Sequence, residues 1–271
     1  MLKAVDILSF LGSLGASGNL EREIKGYSSI IDPKEQSLVF CKRGFESYLE
    51  GVKKCTVIIP HLGEFPNGDN TYIMSNNPRL LFAKVAAEHF TYGDLLQEID
   101  ISAHVSESVS IEGRVKIGKN VFIQPHCTIG TAGPGYERDN AGKFIWLPQL
   151  GGTIIENDVA VFTHANIHRG TLGDTIIKEG SIISVHCNVG HNCIVGKHTF
   201  LAGKTNLGGK TKVGDYCFLG MGVITKPGVV IGDNVVVGMG SIVTRDIPDK
   251  MIAYGNPAKV MKTNPVTARG T

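Results

Sequence analysis

Aliphatic side chains recur at every sixth position through two long stretches of the chain. The first stretch carries them at Ile99, Val105, Ile111, Ile117, Ile123 and Ile129. The second carries them at Ile177, Ile183, Val189, Val195, Leu201, Leu207, Val213, Leu219, Ile231, Val237 and Val243, with Thr225 as the exception. A helix with a period of 3.6 residues cannot keep this phase, whereas short strands that turn a corner every six residues can. The repeat therefore predicts a parallel β-helix.

Two other positions of the six-residue unit also follow a pattern. Four residues after the aliphatic site stands a small or branched residue, and one residue after it stands glycine in many units, as at Gly118, Gly190 and Gly196. We expect these glycines to ease the tight corners by tolerating a positive φ. Three units make one coil of 18 residues, so residues 18 apart should stack at about 4.8 Å.

Composition narrows the class of protein. Charged residues make up 19% of the chain, the formal net charge is +2, and no run of five like charges occurs, which disfavours nucleic acid or an anionic membrane as a partner. The N-terminus lacks a signal-peptide pattern, and no segment reaches about 18 uncharged apolar residues. We therefore expect a cytoplasmic protein without membrane insertion that acts on a small substrate.

Six cysteines raise the question of disulfides or a metal, but no C-x-x-C pair is present. Four of them share one position of the repeat, namely Cys127, Cys187, Cys193 and Cys217. We interpret these four as small core residues whose thiols stay reduced in the cytosol.

The repeat loses its phase at two places. Ile129 and Ile155 are separated by 26 residues, two more than four units, across a segment rich in glycine and proline. Ile167 and Ile177 are separated by ten residues instead of six, across the sequence HRGTLGDT. Both breaks predict loops that flank the same few coils, and departures from a repeat are where function is expected.

Three motifs resemble the UDP-3-O-acylglucosamine N-acyltransferase family. The segment GPGYERDNAGKFIWLPQLGG resembles that family's GFGY…IPQLG loop, ANIHRGTLGDT resembles its ANTTIDRGALDDT, and VHCNVGHNCIVG resembles its NQCQIAHNVVIG. Near the N-terminus, SLVFCKRGFESYL and SNNPRLLFAKVAAEHF resemble the family's nucleotide-binding lobe. The resemblance therefore spans most of the chain.

The resemblance implies a hexapeptide-repeat acyltransferase with left-handed winding and homotrimers whose active sites lie between neighbouring chains. We accordingly predict a mainly β protein with a left-handed parallel β-helix and a small N-terminal α/β lobe. The expected domains are a nucleotide-binding lobe at 1–97, a β-helix at 98–247 that includes a loop at 130–154, and a tail at 248–271.

Two departures from the family shape the expected activity. The family's Asp in DRG is His168 here, and its C-terminal helical extension, associated with an acyl-carrier-protein donor, is missing. The chain instead ends in RDIPDKMIAYGNPAKVMK, which resembles the ending of CoA-dependent hexapeptide acetyltransferases. We thus expect an N-acyltransferase that uses acyl-CoA and no metal. Its acceptor would be the amine of a UDP- or dTDP-linked amino deoxy sugar for surface glycan synthesis.

Acyl transfer to an amine needs a base and a donor for the oxyanion that forms. His191 lies beside the HRGTLGDT loop and matches the family's catalytic histidine, and histidine titrates near neutral pH. One coil further on stands Gly209, whose N–H could stabilise the oxyanion. His168 should lie one coil from Gly190, and Asp174 belongs to the loop. Either of these two residues could orient the base or contact the sugar, or have only a structural role.

Further candidates concern the substrates. Three aromatic side chains of the N-terminal lobe could stack on a pyrimidine base: Phe40, Phe45 and Tyr48. Phe40 could equally belong to the hydrophobic core of the lobe. Other candidates for contact with the nucleotide sugar are Asn77, Arg79 and, in the first loop, Tyr136. Cations that could meet the phosphates of CoA, or simply be solvated, are Lys226, Arg245 and Lys259.

Three other functions remain possible from the sequence. A sugar O-acetyltransferase would use the same base, and a β-helix could be a non-catalytic scaffold. A γ-type zinc carbonic anhydrase shares the fold, and His186 and His191 have an H-x4-H spacing, but no histidine occurs near residue 150 to complete a zinc site. We expect His186 and His198 to be surface residues. The base of the nucleotide, the position of the amine and the acyl chain length stay open.

Overall fold

The computed structural model describes residues 1–10, 13–90 and 96–265. The chain divides into two compact units. The first, here called the N-terminal unit, comprises Met1–Thr91 and Pro134–Pro148, and the second, here called the β-helix unit, comprises Tyr92–Gly133 and Gln149–Thr271. Part of the predicted loop at 130–154 therefore groups with the N-terminal unit. Residues 91–95, near the predicted boundary at 97, and residues 266–271 of the predicted tail lie outside the described residues.

Three sheets form the sides of the β-helix unit. Face one contains Gln97–Ile99, Val115–Ile117, Thr153–Ile155, Thr175–Ile177, Ile194–Val195, Lys212–Val213 and Val230–Ile231. Face two contains His104–Val105, Phe122–Ile123, Ala160–Val161, Ile182–Ile183, Phe200–Leu201, Phe218–Leu219, Val236–Val237, Met251–Gly255 and Ala258–Thr263. Face three contains Ser110–Ile111, Thr128–Thr131, Asn166–His168, Asn188–Val189, Asn206–Leu207, Ile224–Thr225 and Ile242–Val243.

Within each face the strands pair in parallel, apart from the terminal strand Ala258–Thr263, which pairs antiparallel with Met251–Gly255. Val189 pairs with Leu207, one coil further on, as the repeat predicts. Across the second phase break Ile167 pairs with Val189, a longer step along the chain than one regular coil, so the extra residues leave the ladder as a loop. The predicted parallel β-helix is thus confirmed.

The aliphatic positions and the cysteines fill the interior of the coils, except in the first coil, where Ile99 is exposed. Ile123, Val195 and Leu219 are almost wholly buried, and the four repeat cysteines are buried free thiols. Burial raises the pKa of the Cys193 thiol to about 12, so this thiol stays protonated and unreactive at neutral pH. The prediction that these cysteines are core residues is confirmed.

The corners differ from our expectation for glycine. Positive φ occurs three residues after the aliphatic site, for example at His186, Asn192, His198 and Lys204. Of the described glycines that directly follow the aliphatic residue, only Gly130 has a positive φ, so the conformational reason given for Gly118, Gly190 and Gly196 was wrong. Their real constraint is the next coil: a Cβ built on Gly196 would collide with the carbonyl oxygen of Gly214.

Histidines at one corner form an unexpected stack. The ring of His164 lies between the rings of His126 and His186, with centroids 5.2 and 4.9 Å away. At another corner His198 stacks on Tyr216 at 5.2 Å. His186 and His198 are both exposed, as predicted for surface residues.

The N-terminal unit is built on a five-stranded sheet with the strand order Ser13–Ser17, Thr71–Ser75, Thr56–Ile59, Ser37–Phe40 and Gly26–Tyr27. The first pair is antiparallel and the others are parallel. The other elements are the strand pair Leu2–Lys3 and Glu23–Ile24, the 3-10 helices Ala4–Ser9 and Glu46–Gly51, the helix Pro78–His89, and the hairpin Tyr136–Arg138 with Phe144–Trp146. Within the described ranges no helix is both long and apolar enough to cross a membrane.

Substitution of Gly196 tests the close approach of the coils. We expect Gly196→Ala to lower the free energy of unfolding by about 3 kcal/mol, because the new Cβ meets backbone atoms that cannot move aside. Gly222→Asn is the matched control, since Gly222 has φ 70° with open space around it and asparagine tolerates that conformation. Denaturant unfolding followed by circular dichroism measures both; equal stability of the two variants would contradict the role assigned to Gly196.

Candidate active site

Both phase breaks of the repeat lead to one corner of the β-helix unit, between faces three and one. His191 lies at this corner, directly after the strand Asn188–Val189. Gly133, at the start of the first break, lies against His168 and His191, since a Cβ built on it would be 3.8 Å from both side chains. Thr171, in the second break, lies 3.3 Å from Nδ1 of His191 through its hydroxyl oxygen. Within the β-helix unit, residues of both breaks therefore lie beside His191.

The imidazole of His191 lies over the backbone of Gly209. A Cβ built on Gly209 would collide with Nε2 of His191 and would lie 2.7 Å from its Cδ2. The backbone of these coils is in the predicted register, in which Val189 pairs with Leu207. Among the described residues no acceptor receives the N–H of Gly209. Nε2 of His191 therefore lies beside the backbone of Gly209, whose N–H has no protein acceptor among the described residues.

Thr225, the exception in the aliphatic run, supports this turn. Its hydroxyl accepts the N–H of Gly208 at 3.0 Å and forms a 2.8 Å hydrogen bond with the hydroxyl of Thr211. In the preceding coil the equivalent N–H, of Gly190, binds the backbone carbonyl of Leu207 instead. The sequence shows Thr225 as an exception to the repeat but does not reveal these hydrogen bonds. The available signal was a polar residue at a position that is otherwise aliphatic and buried.

His168 lies next to His191 and is held by two neighbours. Its Nδ1 is 3.3 Å from the hydroxyl of Thr131, and its Nε2 is 2.9 Å from the side-chain nitrogen of Asn166. Burial lowers the pKa of His168, hydrogen bonds to Thr131 and Asn188 raise it in part, and the nearby His191 lowers it again. The net lowering keeps this imidazole neutral near pH 7.

A ladder of asparagines runs along face three beside these histidines. The side chain of Asn166 donates to that of Asn188 at 3.0 Å, and Asn188 donates to Asn206 at 3.1 Å. These residues precede the aliphatic site in three successive coils, a regularity that the search for apolar periodicity missed. The ladder gives face three a row of amides that can meet a polar ligand.

Asp174 takes partners other than an imidazole. Its carboxylate forms an ion pair with Arg114 and accepts the N–H of Gly152 at 2.8 Å. It therefore fastens the second loop to the preceding coil. A direct role in orienting His191 is not supported by these contacts.

The candidates in the N-terminal unit divide into two groups. Phe45 and Tyr48 are exposed and stack on each other, with ring centroids 5.8 Å apart. Phe40 packs on the buried ring of Phe82, with centroids 5.0 Å apart. This contact favours the hydrophobic-core role for Phe40. Tyr136 is half exposed, and its ring meets that of Phe144 edge to face, with centroids 5.8 Å apart.

Asn77 and Arg79 already have protein partners. The side chain of Asn77 caps the helix Pro78–His89 by accepting the N–H of Leu80 at 3.1 Å. Arg79 forms an ion pair with Glu137 at 2.7 Å. Asn77 also lines a cleft of this unit together with Leu81, Lys84 and Asp139. The NNPR sequence is therefore explained first by helix capping.

Two of the candidate cations lie on the His191 corner. Register steps of one coil each lead from His191 to Gly209, then to Pro227 and Arg245. Lys226 is adjacent to Pro227, and both Lys226 and Arg245 are exposed. Lys259 is exposed on the terminal strand of face two. In the part of the chain that the structure describes, no group of three histidine, cysteine or acidic side chains could hold a metal ion.

Comparison with known proteins identifies the repeat. Residues 210–245 match the model of the hexapeptide repeat of succinyl-transferase. A UDP-N-acetylglucosamine acyltransferase has 20% identity and a TM-score of 0.51 over 64% of this chain and 73% of its own. The Arabidopsis enzyme of the same name has 14% identity and a TM-score of 0.51 over 90% and 71%. These likenesses concern the fold, and they agree with the predicted left-handed β-helix.

Curated relatives match over a shorter stretch. The UDP-3-O-acylglucosamine N-acyltransferase of Nitrobacter hamburgensis is 41% identical over 76 residues, which are 28% of this chain and 21% of the relative. The enzyme of that name from Xanthomonas oryzae pv. oryzae is 36% identical over 94 residues, which are 35% and 28%. The matches therefore span about a quarter of the relatives' own length.

The lowered pKa of His168 predicts a pH dependence of stability. The unfolded chain binds a proton on this side chain below about pH 6.5, while the folded chain resists it, so the free energy of unfolding falls as the pH falls from 7 to 5. We expect His168→Gln to lose less stability than the wild type over this range. His198→Asn, which changes an exposed histidine, is the control. Urea unfolding at both pH values measures the effect, and equal losses in His168→Gln and wild type would contradict it.

Proposed function

We propose that the protein transfers an acyl group from acyl-CoA to the amino group of a nucleotide-linked amino deoxy sugar. The observation that carries this proposal is that His191 Nε2 lies beside the backbone of Gly209, whose N–H has no protein acceptor among the described residues. A base and an oxyanion donor that face one space are what attack on a thioester requires. The names of the curated relatives support an N-acyltransferase of UDP-sugar class.

The proposed reaction proceeds in two steps. The amine nitrogen attacks the thioester carbonyl, a C–N bond forms, and Nε2 of His191 accepts the proton that the nitrogen loses. The N–H of Gly209 donates to the oxyanion. The intermediate then collapses, the C–S bond breaks, and the leaving sulfur of CoA receives the proton from His191. The imidazole is neutral again, and the products are an amide and free CoA.

The position of Arg245 supports CoA as the donor. Arg245 is three coils from His191 along the same corner, and coils spaced by about 4.8 Å give a separation of about 14 Å. A pantetheine arm that extends over about this distance from His191 would bring the phosphates of CoA to Arg245 and Lys226. Lys259 remains a further candidate for these phosphates.

The proposed nucleotide contacts are the exposed rings of Phe45 and Tyr48, because a pyrimidine can stack on an aromatic face. Tyr136 and the cleft beside Asn77 are further candidates, and uracil and thymine remain equal choices. His168 and the asparagine ladder would contact the sugar. Asp174 and Arg79 would instead have structural roles, through their ion pairs with Arg114 and Glu137.

We also infer a homotrimer in the cytoplasm. The outward-facing residues of face two are largely apolar and include Phe122, Ile182, Phe200 and Phe218, three of which are exposed large hydrophobics. An exposed apolar row of this kind favours burial against another chain. Reduced thiols and a CoA donor both suit the cytoplasm.

A thiol-release assay tests the activity. Acetyl-CoA and longer acyl-CoAs are offered with UDP- and dTDP-linked amino sugars, and with the matching hydroxy sugars to detect O-acylation. We expect turnover with an amino sugar and a loss of at least about 100-fold in kcat for His191→Ala. His186→Ala, an exposed histidine at another corner, should retain wild-type kcat. Full activity of His191→Ala, or turnover with hydroxy sugars alone, would contradict the proposal.

Gly209→Ala tests the second half of the site. Its methyl group would push the His191 ring away and crowd the donor N–H, so we expect kcat to fall about 100-fold while the fold is kept. Gly203→Ala has the same place in its hexapeptide and meets only Val185, at 3.2 Å for the nearest atom. Steady-state kinetics measure kcat for both variants. Equal kcat values would contradict the role of Gly209 as the oxyanion donor.

A further inference from the structure

Asn192 follows His191 directly, and both ends of its amide are fixed by backbone groups. Its Oδ1 accepts the N–H of Thr171 at 2.9 Å, and its Nδ2 donates to the carbonyl of Gly173 at 3.1 Å. Exchange of the two amide atoms would place a donor against a donor and an acceptor against an acceptor. The orientation is therefore determined, and the atom 3.1 Å from His191 Nδ1 is an oxygen.

Thr171 presents a second acceptor to the same ring nitrogen. Its hydroxyl proton is donated to Oε1 of the buried Gln149 at 2.8 Å. The hydroxyl oxygen, 3.3 Å from Nδ1 of His191, can then only accept from that nitrogen. Two acceptors converge on Nδ1, so this nitrogen carries the proton and Nε2 keeps its lone pair on the side of Gly209.

The backbone alone does not require asparagine at this position. Asn192 has φ 58°, but equivalent corners accept His198, Lys204 and Lys210 with φ of 50°, 63° and 65°. What distinguishes Asn192 is its side chain, which joins two backbone groups of the second loop, at Thr171 and Gly173, to the ring of His191. The described hydrogen-bond partners of this ring include no carboxylate.

We propose that Asn192 is a positioning residue that holds His191 in the Nδ1–H tautomer through a neutral acceptor. The tautomer is a property of the free protein, whereas its benefit to catalysis rests on the proposed function. Nε2 is available as a base only in this tautomer. Loss of the acceptor should release the ring to exchange tautomers and orientations, which lowers kcat more than it changes KM.

Nitrogen-15 NMR of histidine-labelled protein reads the tautomer directly, with His191→Gln used for assignment. In the wild type we expect protonated Nδ1 and unprotonated Nε2. In Asn192→Gly, which keeps the corner conformation and removes the acceptor, we expect a mixed tautomer signal and about a 10-fold loss of kcat. Asn192→Asp keeps an acceptor and should restore the wild-type signal and most of kcat. Asn234→Gly, at a left-handed corner with φ 57°, should leave both unchanged.

The outcomes separate the two proposals. An unchanged tautomer in Asn192→Gly overturns the positioning role, and so does an Asn192→Asp variant whose kcat is as low as that of Asn192→Gly. A wild type that shows no turnover, with the NMR signals as expected, overturns the proposed function and supports the tautomer inference. Should Asn192→Gly not fold, Asn192→Lys provides the same test, because it offers a donor in place of the acceptor at a corner type that carries lysine elsewhere.

Discussion

The hydrogen bonds between successive coils are the constraint on which the rest of the structure depends. They fix the register at three hexapeptides per coil where the repeat is regular, and they hold adjacent backbones so close that several glycines cannot bear a side chain. This register brings Nε2 of His191 to the backbone of Gly209. A slip by one residue would separate the two groups, because residue 191 would then no longer stack on residue 209.

Much of the β-helix could be predicted from the sequence because its interactions repeat. The period placed the aliphatic and cysteine side chains in the interior, and the arithmetic of one coil brought His191 and Gly209 together. The interruptions were also visible, since any insertion into a strict repeat must leave the ladder. Resemblance to a known family supplied what periodicity cannot, namely the winding and the expectation of an acyltransferase.

What could not be predicted depends on side-chain geometry in three dimensions. Nothing local to Asp174 indicates that its partner is Arg114, far earlier in the chain, nor does the sequence show that Arg79 meets Glu137. The glycines after the aliphatic site were assigned a positive φ because that is glycine's commonest special use, whereas here they admit a neighbouring backbone. The asparagine ladder is polar and was invisible to a search for apolar periodicity.

A structure of the protein with CoA and an amino-sugar nucleotide tests the central claim most directly. The account predicts that the thiol of CoA lies between Nε2 of His191 and the N–H of Gly209, that the pantetheine arm follows the corner, and that the phosphates reach Arg245. The amine of the sugar should lie within hydrogen-bond distance of Nε2. Density for the thiol of CoA at another corner, away from His191, would contradict the account.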